Sequence, residues 1–532
     1  MVVRSISAAL QGINASVVYC ETAISPGCRI MIIGLPDAAV KESRDRIESA
    51  MRESGIRIPR KQITINLAPA DVRKEGSLYD VPMAVAIMAA GEIIPANKLE
   101  HYMMMGELSL DGKVKPVRGC LPFAILAREM GLKGIIVPRE NAREAAVVNN
   151  LDVLIADNLQ QIFEFMCDKS ELERLVVNTR EMFASAERTF LSDFADVKGQ
   201  AQAKRAFAIA AAGGHNLILV GPPGAGKSMM AKCLPSILPP LSLTEALETT
   251  KIHSVAGLRA ETGLITQRPF RAPHHTISSV ALIGGGNNPM PGEVSLASNG
   301  VLYLDELPEF HREVLEVLRQ PLEDRRIVIA RVKNTVEYPA TCMLVASMNP
   351  CPCGYYGHPT RPCTCSETQV RKYLGRISGP LLDRIDLQVQ VQPLSFDVVS
   401  KTTTSEPSSV IRERVLKARK IQEERFAMWE KAQAENSEQQ SPAAQHRDGN
   451  ARVTCNAQMT PSMLREFCQL DEGALRLLKN AMTKLDLSAR AYDRILKVAR
   501  TIADYEGEPS ITTTHIAEAI SYRNLDRNTW GE

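Results

Sequence analysis

The sequence predicts a multidomain α/β protein: an α+β domain first, then an α/β core on a parallel sheet, then a helical C-terminal unit. Three observations predict it. The chain has 532 residues, more than one domain at roughly 100–200 residues each. Residues 1–165 alternate short β-rich runs (ASVVYCETAI, CRIMIIGL, QITINLAP, GIIVPRE) with helical stretches such as AVKESRDRIESAMRESG. Further on, LILVGPPGAGKSMMAKCL runs an apolar strand into a glycine-rich loop and a helix, the β–loop–α unit of phosphate-binding parallel sheets.

In chain order, residues 1–165 form the first domain, and 166–190 are charged and helical, a connector. Residues 191–395 form the α/β core. Residues 396–454 are a helical and partly disordered excursion, because AENSEQQSPAAQHRDGNARV holds too few apolar residues to pack. Residues 455–532 are a helical unit, with SARAYDRILKVARTIADYEG its clearest helix. No repeat of 20–50 residues is present.

With 45% hydrophobic and 23% charged residues the composition is that of an ordinary globular protein with large cores. A net charge of +2 excludes global basicity, so any nucleic-acid surface has to be local. Met1 to Cys20 lacks the basic start and unbroken apolar core of a secretory signal. No run approaches the ~18 apolar residues of a membrane helix, so no membrane partner is expected. Eight of the twelve cysteines are scattered singly, which reads as reduced thiols and a cytoplasmic location.

The phosphate site is Gly221, Pro222, Pro223, Gly224, Ala225, Gly226, Lys227 and Ser228. Glycines let backbone N–H groups curl around phosphates at a helix N-terminus. Lys227 is then placed to reach the β/γ-phosphates of ATP and Ser228 to ligate Mg²⁺. GVLYLDELPEF supplies an acidic pair at a strand end: Asp305 for the metal's hydration shell, Glu306 to polarise the attacking water. CMLVASMNP is another buried strand, and its tip, Asn349, is a polar group for orienting that water.

These elements, with SGPLLDRIDL and LSARAYDRILKVARTIADY, resemble an AAA+ ATPase of the magnesium-chelatase-like and MCM-like branch, and nearly the whole chain resembles the ComM/YifB family. The resemblance implies a three-layer AAA+ core with a helical lid, and a hexameric ring. It makes Asn349 sensor 1, Arg384 the arginine finger reaching a neighbouring subunit's nucleotide, and Arg490 sensor 2, with Arg494 one turn along as the rival. It also implies a DNA helicase driving branch migration during recombination of incoming strands in natural transformation. RRIVIARVKNTVEYPA reads as a hairpin, and in that branch such a hairpin and the insert before Asp305 point into the central pore. Arg331 and Lys333 near the hairpin turn would then meet single-stranded or branched DNA, although ordinary solvated turn charges explain them too. The alternative function is a chelatase-like or MoxR-like remodeller of a protein client. His274 and His275, in RAPHHT, read as structural or phosphate-proximal rather than as metal ligands.

KEGSLYDVPMAVAIMAAG and the segment from GELSLDGKVKP onward resemble the proteolytic domain of the Lon family. A Lon-type site needs a serine nucleophile beside a lysine base. Those positions fall on Leu78 and Leu121, with Ser77 one residue off and Lys113 and Lys115 earlier. The chain is therefore expected to be no active protease.

CPCGYYGHPTRPCTC, residues 351–365, concentrates Cys351, Cys353, Cys363 and Cys365 behind the Asn349 strand. Four thiolates suit structural Zn²⁺ at about 2.3 Å. Reduced thiols in a packed loop, redox control, or His358 replacing one ligand are the other readings. A metal here is expected to brace Asn349 against Arg384.

Overall fold

Two sheets carry the molecule, each in its own α/β layer system. The computed structural model describes residues 2–185, 190, 192–258, 260–286, 289–330, 335–393, 405–438 and 453–523. The first sheet starts from a long hairpin, Val2–Gln11 against Asn14–Ser25, turning at Gly12 with φ +63°. In spatial order its strands are Glu173–Leu175, Asp152–Ile155, Gly134–Val137, Tyr102–Met104, Val2–Gln11, Asn14–Ser25, Gln62–Ala68 and Ile30–Ile33. Alternate side chains feed opposite cores. Met104 and Ile136 join Ile47 and Val85 of helices Ala38–Glu53 and Asp80–Ala90. Met103 and Ile135 join Phe123 and Ala142 of helices Cys120–Glu129 and Arg139–Ala145.

The connector 166–190 departs from its helical expectation. Glu173–Leu175 pairs antiparallel with Asp152–Ile155 and extends the first sheet, and among the described residues of the connector beyond it only Thr179–Ser185 is helical. An open sheet edge offers unpaired N–H and C=O groups that recruit an extended segment nearby in the chain.

The second sheet is parallel throughout: Phe270–Arg271, Val301–Leu304, Met343–Met348, Leu217–Val220, Leu387–Gln390. Its three central strands are apolar on both faces because both are covered. Leu217, Leu219 and Val345 face one core, Ile218, Val220 and Leu344 the other. Helix Ser408–Glu438 and the C-terminal helices Pro461–Phe467, Glu472–Lys484, Ala489–Glu506 and Thr513–Ser521 pack on the first of these cores. A buried polar seam ties them to the sheet: His215 Nε2 lies 2.7 Å from Thr501 Oγ1, and Asn216 N donates to Asp386 Oδ2 at 2.9 Å.

The two layer systems touch through helix Leu243–Val255, which opens on a Ser242–Glu245 capping box. Leu241, Ala246 and Leu264 are buried in the first domain's core. Gly119 N donates to Ser254 O at 3.1 Å, and Lys251 Nζ to Asn14 Oδ1 at 2.8 Å. Of the insert before Asp305, whose expected place is a pore, Ser254 and Leu264 instead lie against the first domain, because Leu264 has a ready apolar core to fill. Among the described residues no helix is long and apolar enough to cross a membrane.

Candidate nucleotide site

The parallel register sets the site. Val220, Leu304 and Met348 end neighbouring strands on the same edge of the sheet. The loop 221–226, Asp305–Glu306 and Asn349 continue the chain beyond those three strand ends. They are therefore delivered to one crevice, as in other open α/β sheets. Gly224 and Gly226 have φ of +78° and +84°, conformations that favour glycine and turn the backbone into helix Lys227–Ile237.

Lys227 is buried, and its ammonium donates to Gly221 O at 2.6 Å, Pro222 O at 2.9 Å and Asn349 Oδ1 at 3.1 Å. Burial pushes it down to about 8, against the pull of Asp305 and Glu306. Ser228 Oγ donates to Asp305 Oδ2 at 2.8 Å, and the Ser347 hydroxyl donates to the other carboxylate oxygen. Burial raises Asp305, but hydrogen bonds from Ser347, Ser228 and Tyr303 outweigh it and hold the carboxyl below its ordinary range. An ionised carboxylate and a hydroxyl are hard oxygen donors of the kind Mg²⁺ takes. Ser347 and Tyr303 escaped the sequence reading. Pairing Leu304 with Ala346 places Asp305 beside Ser347, and that register is not written in either strand alone.

Glu306 adopts φ +53°, a left-handed conformation unusual for glutamate, and its side chain is 57% exposed. His275 Nδ1 lies 4.0 Å from Glu306 Oε2, and its ring centroid lies 4.0 Å from that of His274. His274 turns away to Thr276. The histidine pair thus adjoins the acidic pair and shares no metal geometry.

Arg384 and Arg490 are brought together, but not with Lys227. Arg384 donates to Pro380 O at 2.7 Å and pairs with Glu323, whose other oxygen lies 3.5 Å from Arg490. Arg494 pairs instead with buried Asp386. Arg331 and Lys333 lie outside the described residues, between hairpin strands Arg326–Ala330 and Thr335–Pro339.

The sulfurs of Cys351, Cys353, Cys363 and Cys365 all lie within 4.8 Å of one another. In the first domain Ser77 donates to Glu107 and Lys113 pairs with Asp111 at 2.9 Å, while Leu121 is buried. Lys74, which the sequence reading passed over, is wholly buried with its ammonium on Pro69 O.

Models of the magnesium chelatase subunit ChlI match residues 193–399, with further ChlI models matching 20–141 and, for its C-terminal part, 405–523. The uncharacterized protein YifB of Escherichia coli is 42% identical over 519 residues, 97% of this chain and 96% of that one. Competence protein ComM of Haemophilus influenzae is 40% identical over 524 residues, 98% and 97% of the two chains. A Lon protease of Bacillus thuringiensis is 27% identical over 157 residues, covering 27% of this chain and 20% of its own length. With relatives matched almost end to end and a phosphate loop facing an acidic strand end, the chain belongs to the YifB/ComM family of AAA+ proteins with magnesium-chelatase-type domains.

Proposed function

We propose that the chain is an ATP-hydrolysing ring motor that acts on DNA. The observation that carries the reading is the convergence of Lys227, Ser228, Asp305 and Asn349 at one sheet edge. Loop 221–226 cradles the phosphates and Lys227 exchanges its carbonyl partners for phosphate oxygens. Bound Mg²⁺ would neutralise the charge developing on the phosphates, with Ser228 and Asp305 holding it. Glu306 polarises the water, and Asn349, as sensor 1, orients it. Arg384 acts in trans as the finger and Arg490 as sensor 2, which makes self-association into a hexameric ring part of the catalytic unit. The described arms of hairpin 326–339 support a pore element, with Arg331 and Lys333 at its tip on single-stranded or branched DNA. The ComM likeness supports branch migration as the work done. The Ser77–Glu107 pairing supports a Lon-like domain without peptidase activity.

Three-stranded branch migration on a short D-loop with ATP, wild type against Lys227→Ala, tests this. Strand displacement by the wild type alone is expected. The second reading, a chelatase-type remodeller of a protein client, is favoured by the ChlI matches. ATPase indifferent to every DNA offered, without displacement, would replace the first reading with the second.

A further inference from the structure

The four-cysteine loop touches the nucleotide site at a point no motif indicates. Cys351 lies two residues beyond Asn349 and is fully buried among Val220 and Met348. Sulfur separations are 3.3 Å for Cys351–Cys353, 3.7 Å for Cys351–Cys363 and 3.5 Å for Cys353–Cys363. These are far longer than a disulfide's ~2.05 Å. They approach the edge of about 3.8 Å that a tetrahedron with a metal–sulfur bond of about 2.3 Å requires. Backbone N–H groups already face the sulfurs: Tyr356 N lies 3.3 Å from Cys351 Sγ and Cys365 N lies 3.4 Å from Cys363 Sγ. Such donors stabilise thiolates and orient them as ligands. Gly354, between the first two ligands and the turn, has φ +84° and sits flush on the phosphate loop. A Cβ there would fall 2.6 Å from Pro223 Cδ.

We propose that Cys351, Cys353, Cys363 and Cys365 bind one Zn²⁺, and that this metal holds the phosphate loop and Asn349 in their nucleotide-binding arrangement. The coupling half rests on the ATP-binding reading above. On binding, the four sulfurs coordinate as thiolates and any thiol protons pass to solvent. The closed loop then presses Gly354 against Pro223 from one side, while the strand it grows from brings Asn349 to Lys227. Gly221 N also donates to Met348 O at 3.2 Å, so loop and strand move as one body. Without the metal nothing ties the four sulfurs together, so Gly354 is free to leave Pro223 and the phosphate loop loses its backing. Beside the brace toward Arg384 that the sequence suggests, Gly354 gives the loop a contact of its own on Pro223.

The test uses the full chain. Elemental analysis of the purified protein counts metal, a chromophoric chelator competes for Zn²⁺ with and without ADP, and fluorescent-nucleotide titration measures affinity before and after chelation. The expected result is about one Zn²⁺ per chain, lost in Cys353→Ser. Chelation should weaken nucleotide binding roughly 5- to 150-fold, and ADP should tighten Zn²⁺ by the same factor, since coupling is reciprocal. Should Cys353→Ser fail to fold, Gly354→Ala keeps all four ligands: it should retain the metal and still bind nucleotide more weakly. No metal on isolation and none taken up from Zn²⁺ titration overturns the site. Metal bound, with nucleotide affinity equal before and after chelation, overturns the coupling. Metal bound, with no nucleotide affinity in either form, overturns the ATP reading and the coupling together and leaves the site supported by its stoichiometry.

Discussion

The Lys227 ammonium donates to the Asn349 carboxamide over 3.1 Å, joining the phosphate loop to the tip of a strand 122 positions along the chain. Together with Gly221 O and Pro222 O, the carboxamide gives the lysine three protein acceptors. A phosphate entering the loop competes for the same protons and leaves Asn349 free to meet water. Asn349→Ala should therefore retain nucleotide within a few-fold, while turnover falls on the order of 10², the scale of losing one preorganised donor. Lys227→Ala should lose binding itself. Fluorescent-nucleotide titration beside steady-state ATPase separates the two.

The Glu306 backbone N–H donates to Asp305 Oδ1 at 3.1 Å, while its carboxylate points away from that set, 4.0 Å from His275 Nδ1. If Glu306 is the proposed base, Glu306→Gln keeps its shape and removes the base, so nucleotide should still bind while hydrolysis drops by roughly 10²- to 10⁴-fold. His275→Ala should leave binding alone and lower hydrolysis, because the ring stands beside the Glu306 carboxylate. Equal hydrolysis in both proteins would remove His275 from the site.

Arg384 and Arg490 share Glu323. If Arg384 serves the neighbouring subunit, Arg384→Ala should cost on the order of 10³- to 10⁵-fold in hydrolysis. Mixing Arg384→Ala with Lys227→Ala should restore part of it, because some interfaces then pair an intact loop with an intact finger. Absence of complementation, in rings shown to have mixed, would place Arg384 in its own subunit's structure.

The polar seam under the helical unit predicts a pH dependence. Burial holds His215 below 6.5, with Asp386 opposing. The unfolded chain takes up a proton near pH 6.5 that the folded chain refuses. Stability should thus fall as pH drops below about 6.5. Asp386 is pushed up by burial, but Arg494 and His215 outweigh that and hold it far below the carboxylate range. It adds a further loss below about pH 4, where the unfolded carboxyl protonates. Melting temperatures between pH 7.5 and 5.5 should slope downward in the wild type and flatten in His215→Gln.

If Arg331 and Lys333, between the two hairpin arms in sequence, contact DNA as proposed, binding should show steep salt dependence, about −0.9 in log K per phosphate neutralised. Arg331→Glu with Lys333→Glu should abolish DNA stimulation and leave basal ATPase intact. Stimulation with an unchanged salt slope would move the DNA contact elsewhere.

The amino-acid sequence by itself determined what is contiguous. The loop 221–228, the Asp305–Glu306 strand end, the hairpin arms and helix Ala489–Glu506 are local: apolar period, glycine placement and caps suffice, and each forms within its own stretch. Only the tertiary structure decided which elements meet. Periodicity says that a residue faces a core, not which core. Leu264 thus fills the first domain's interior, and strand Glu173–Leu175 replaces part of a connector read as helix. Ser347 beside Asp305, His275 beside Glu306, Glu323 between two arginines and Gly354 on Pro223 all join distant segments. Parallel strands are linked by long crossovers that leave their register free, so strand order and side-chain packing set those neighbours after the local elements exist.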